Sequence, residues 1–83
     1  MNATLVRHTA AVYLIGCTVE VEPRLVDGPG PNQNFPCGQA FRVSCASRER
    51  AKNHAQHIFE AFEARHQRDP KHVAPPLFYV VHY

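Results

Sequence analysis

Six histidines and three cysteines among 83 residues are the side chains most able to do chemistry. His54 and His57 stand three apart, which sets two imidazoles side by side on one face of a helix, and Glu60 follows at the same spacing. Such a pair supplies two ligands for a divalent cation. A third ligand of fixed spacing and an HExxH pattern are both missing, so the residues predict no metal and no cofactor. Cys37 lies between Pro36 and Gly38, on an exposed turn rather than at a helix start that would lower its pKa, and no base is placed to activate it. The sequence also lacks a paired acid and base, a phosphate-cradling glycine loop and a nucleophile elbow, and so predicts no catalytic residues.

The basic residues carry more information. Arg42, Arg48, Arg50 and Lys52, offset only by Glu49, gather where a strand passes into a helix, and Arg65, Arg68 and Lys71 with His66 and His72 gather at the far end of that helix. The field of a helix disfavours cations in its first turn, so cations placed there suggest contact with phosphates or with an acidic protein surface. Aromatic residues of the kind that single-strand binders interleave with their cations are absent from these positions. A second candidate contact lies in the proline- and glycine-rich stretch 23–38, around Asn32, Gln33, Asn34 and Phe35. Connections this long are usually functional or mobile.

One strand and one helix must position these groups. Phe41, Val43 and Cys45 alternate with Ala40, Arg42 and Ser44, the period of a half-buried strand. After Ser47 the apolar positions become Ala51, Ala55, Ile58, Phe59 and Phe62, one stripe of a helix. Ser47 is the expected N-cap, and the helix should run over about 48–68, because Asp69 precedes Pro70 and is pushed out of the α region. Strands are expected over about 11–22, 39–45 and 77–82, with Gly16 marking a bulge or a close backbone approach and residues 1–10 unassigned.

A strand, helix, strand unit within one sheet leaves its two strands parallel, which places the strand at 11–22 between them and antiparallel to both. The expected fold is therefore α+β, a single antiparallel or mixed sheet of three to four strands in the order 2-1-3 against one amphipathic helix, forming one ββαβ domain over residues 1–83. Strand parity turns Tyr13, Ile15, Cys17, Val19 and Val21, with Phe41, Val43 and Cys45, toward the helix. Val12 and Leu14, with one set of the last strand's apolar residues, would then form a patch on the open face.

Composition narrows the class further. A net charge of +2 rules out an indiscriminate polycation, and no run approaches the roughly 18 apolar residues of a membrane span. An odd number of cysteines without CxxC spacing predicts neither a disulfide framework nor a zinc ribbon, and with no signal-peptide pattern the expected compartment is a reducing cytoplasm.

The run VSCASRERAKNHAQHIF, in which a strand ends in small residues before an alanine-punctuated helix, resembles small phage and mobile-element proteins of simple ββαβ order. In style the chain is most similar to type I anti-CRISPR proteins, chiefly over residues 39–83. The resemblance implies a non-catalytic inhibitor in a bacterial host cell that binds a CRISPR effector subunit and blocks target DNA binding or nuclease recruitment. Many such inhibitors are acidic DNA mimics, whereas this chain is mildly basic, which directs the expectation to an acidic protein surface or a nucleic-acid path. A small nucleic-acid-binding module using the same cations, and a homodimer formed through the open sheet face, are the alternatives.

Overall fold

The computed structural model describes residues 6–27 and 34–82. Its elements are β1 (Val6–Ile15), β2 (Thr18–Asp27), β3 (Asn34–Pro36), β4 (Phe41–Ser44), α1 (Arg48–Arg68) and β5 (Leu77–Val81). The fold is α+β, with one mixed five-stranded sheet packed against the single helix.

The expected strand at 11–22 is in fact the centre of a hairpin. β1 and β2 pair antiparallel from Val6 opposite Asp27 to Ile15 opposite Thr18, leaving Gly16 and Cys17 as a two-residue turn. Gly16 has φ +61°, and no residue other than glycine has a positive φ among those described. A positive φ at only the first central position is the signature of a type II′ turn, which matches the twist of the flanking strands. An added Cβ on Gly16 would meet no atom within 4 Å. Gly16→Ala should therefore destabilise only through its backbone, by about 1–2 kcal/mol in urea unfolding, and a D-alanine introduced by synthesis should restore the loss.

The turn also explains the corrected faces. Across a two-residue reversal, even positions of β1 share a face with odd positions of β2, so Val12 stands opposite Val21 and Leu14 opposite Val19. Ala10, Val12, Leu14, Val19, Val21, Ala51 and Ala55 form the core, with Cys45, Ile58, Phe59, Phe62 and Phe78 packed against it. Val19, Val21 and the β4 positions face the helix as expected, but Tyr13 and Ile15 turn to the open face and Cys17 is exposed in the turn. Val12 and Leu14 are core residues rather than members of an open-face patch.

Much of the expected loop at 23–38 is also strand. β2 continues through Asp27, and its outer edge takes two partners in succession, β4 along Thr18–Val21 and β3 along Arg24–Val26. Pro23 sits where one partner gives way to the other. Its carbonyl accepts from Cys37 N at 3.1 Å, so the N–H that proline lacks would have pointed to this same gap. Residues 28–33 lie outside the described residues.

The helix spans Arg48–Arg68, as its periodicity predicts. Ser47 Oγ accepts from Arg50 N at 3.2 Å, and the Asp69 N–H donates back to the Arg65 carbonyl. Ala51 and Ala55 are fully buried, and their small side chains let the first turns lie close on β1 and β2. β5 returns parallel to β1, with Val12 opposite Phe78 and Tyr13 opposite Tyr79. The sheet order is β3-β2-β1-β5, with β4 also on the outer edge of β2, in place of the expected 2-1-3. β4 and β5 are parallel to each other as expected, because the hairpin between them contributes two strands of opposite direction. The expectation that the first strand is antiparallel to both neighbours holds for β2 against β4 and fails for β1 against β5, which are parallel.

Candidate partner-binding surface

Of the ten residues singled out by type and spacing, the eight that are described divide into two groups. Arg42 on β4 and Arg48, Arg50 and Lys52 in the first turns of α1 flank the strand-to-helix junction. Arg48 Nη1 donates to the Gly16 carbonyl at 3.2 Å, which ties the start of α1 to the tip of the hairpin. Arg42 projects from β4 on the open face, where its Nε lies 3.6 Å from Glu20 Oε2. Arg48, Arg50 and Lys52 are exposed, and none forms an ion pair among the described residues.

Arg65 and Arg68 lie at the other end of α1, about 25 and 30 Å from Arg48 at the rise of an α-helix. Arg65 places its guanidinium 5.5 Å from the centre of the Phe62 ring and, with His8, Thr9 and Val73, lines a small surface hollow of about 80 Å³. Asn34 and Phe35 belong to this end as well, since Phe35 pairs with Leu25, which in turn stands opposite His8. The five-residue offset along β2 from Glu20 to Leu25 separates Phe35 from Arg42 by about 17 Å. The strand-to-helix junction and the 34–35 segment, expected to dock together, are therefore set apart along the outer edge of β2. Asn32 and Gln33 fall outside the described residues.

The open face holds a polar and aromatic arrangement that residue types alone did not reveal. The Tyr13 and Tyr79 rings stack with centroids 5.1 Å apart and planes 18° from parallel. Arg24 Nη2 donates to Tyr13 Oη at 2.8 Å and lies 2.7 Å from Glu22 Oε1. The ion pair is close but poorly aligned, so Glu22 Oε1 and Arg24 Nε are both buried without a protein hydrogen-bond partner. Burial pushes the Arg24 pKa down, but the Tyr13 hydrogen bond and the neighbouring Tyr13, Glu22 and Tyr79 oxygens outweigh it and hold the guanidinium above its ordinary value. The one sequence signal for this cluster was Gly16. Read as a turn, it would have placed Tyr13 beside Glu20 and Glu22.

On the helix side, an apolar groove of about 260 Å³ runs between α1 and β5, lined by Leu14, Phe59, Phe78 and Val80 with Lys52 and Gln56 at its rim. It exists because α1 lies over β1 and β2 and leaves the inner face of β5 half covered. His54, His57 and Glu60 are exposed on the helix, and among the described residues no three His, Cys, Asp or Glu side chains converge as metal ligands. No helix of the described residues is long and apolar enough to cross a membrane. Comparison with protein-family models, with curated proteins and with solved structures returned no match.

Proposed function

We propose that this chain is a non-catalytic protein-binding inhibitor whose docking surface is the basic end formed by Arg48, Arg50 and Lys52 with Arg42 beside them. The supporting observation is that three exposed cations occupy the first turns of α1 with no carboxylate partner among the described residues. Helix physics favours acidic residues there, at roughly 0.3–1 kcal/mol per charge. Cations held at that place suit an acidic surface supplied by another molecule.

The resemblance to type I anti-CRISPR proteins names the target class: a type I CRISPR surveillance complex, with target DNA binding or nuclease recruitment as the step blocked. Incubation with a purified surveillance complex, followed by size exclusion and a target-DNA gel shift, should give a stoichiometric protein complex that survives nuclease treatment and no longer shifts DNA or recruits its nuclease. Direct retention of bare RNA or DNA at low salt, falling steeply as salt rises, would instead assign the same cations to phosphates. Failure to bind either would remove the proposed site.

A further inference from the structure

We infer that the outer edge of β5 is a self-association site, at which two copies of this chain join antiparallel about a two-fold axis through Tyr79. The two edges of the sheet are built differently. On the β2 side, the outer strands are short, β3 contains Pro36, β4 carries Arg42, and Pro23 interrupts the donors between them. These are the devices by which proteins prevent edge-to-edge pairing. β5 is also short but has none of the others: Leu77–Val81 reads LFYVV, without charge, proline or glycine, and among the described residues nothing pairs with its outer side. Tyr79 and Val80 are 42% and 43% exposed.

The backbone register suits a second copy as the occupant. In the β1–β2 hairpin, odd positions of β1 exchange hydrogen bonds with β2, so even positions turn their amides toward β5. His8 shows this directly, accepting from Ala74 N and donating to His72 O, both at 2.8 Å. With Val12 opposite Phe78 and Leu14 opposite Val80, the inward groups of β5 are those of Leu77, Tyr79 and Val81. Phe78 and Val80 therefore direct both N–H and C=O outward.

A two-fold axis through Tyr79 brings Phe78 of one copy opposite Val80 of the other, so both outward pairs exchange their amide bonds. The two Tyr79 residues then meet as the non-hydrogen-bonded pair, where Cα atoms approach to about 4.5 Å and side chains are closest. On the open face the Tyr13–Tyr79 stack of each copy is continued by the other. On the helix face, Phe78 of the second copy lies beside Val80, at the mouth of the apolar groove. Charges agree as well. The flank of α1 facing the axis reads Lys52, Gln56, Phe59 and, at the same helical spacing, Glu63, and reversal sets the Lys52 end of one helix toward the Glu63 end of the other.

Sedimentation equilibrium on the full chain between about 1 and 100 µM should show a monomer–dimer equilibrium. Hydrogen exchange should show the Phe78 and Val80 amides becoming protected as the dimer forms. Tyr79→Lys places like charges directly opposite each other at the axis and should weaken the dimer at least tenfold, with far-UV dichroism confirming the fold. Val80→Lys, at a half-exposed position away from the tyrosine stack, should do the same and serves if Tyr79→Lys fails to fold. A monomer at every concentration overturns the inference. So does a dimer that both lysine variants leave intact, or protection of Phe78 and Val80 that does not change with concentration, which would mean that the edge is covered within one chain.

Discussion

Leu14→Ala is expected to lower the unfolding free energy by about 2–5 kcal/mol, the range for emptying a packed leucine site. Leu14 is 2% exposed and stands where three elements meet, opposite Val19 on β2 and Val80 on β5, with Phe59 of α1 lining the same groove. The groove already leaves this side thinly packed, so few neighbouring atoms are available to fill the space. A chain of this length holds only about 4–12 kcal/mol of net stability, and the loss would be a large share of it. Val80→Ala provides the contrast. It removes methyl groups from the same rung of the same face, but Val80 is 43% exposed, and the cost should stay below about 1 kcal/mol. Urea unfolding of the two variants would settle the ranking, and equal losses would show that burial on the hairpin does not govern stability.

Combined replacement Arg48→Glu, Arg50→Glu and Lys52→Glu is expected to weaken partner binding by about 100-fold or more, near 2.7 kcal/mol, through like-charge contact with an acidic surface. Stability should move the other way. Ser47 already caps the helix through Arg50 N, so glutamate at position 50 completes the Ser-x-x-Glu capping pattern and adds favourable charge to the first turn. The Arg48 bond to the Gly16 carbonyl is lost, but it is exposed and contributes little. The net change should be a gain of about 1 kcal/mol. Binding assays and thermal melts on one preparation separate the explanations: cations that serve only the fold would lose stability on reversal, whereas cations that serve a partner lose affinity while the fold tightens.

The helix was legible from the sequence because every signal that defines it is local. Ser47, the stripe from Ala51 to Phe62 and the Asp69–Pro70 stop act within a turn or two of one another, and the observed Arg48–Arg68 agrees with them. The β4 and β5 segments were legible for the same reason, as was the α+β class. The hairpin was not. Apart from Glu20, Val12 to Val21 is apolar or β-prone on both sides of Gly16, so alternation continues through the turn and a glycine that reverses the chain looks the same as one that marks a bulge. That single ambiguity moved Tyr13, Ile15, Val12 and Leu14 to the wrong faces, since a two-residue reversal exchanges the parity of the strands it joins.

The amino-acid sequence by itself determined where the cations and the apolar stripe of α1 lie along the chain, because helical periodicity and capping are read within a few residues. Only the tertiary structure decided which of them stand together. Pairing of β2 with both β3 and β4 carries Asn34 and Phe35 to the Arg65 end and leaves Arg42, Arg48, Arg50 and Lys52 as a separate basic end. Return of the chain along β1 places Tyr79 on Tyr13 and exposes an uncharged edge. Strand partners are chosen by contacts between residues distant in sequence, and a strand's own alternation is the same whichever neighbour it joins.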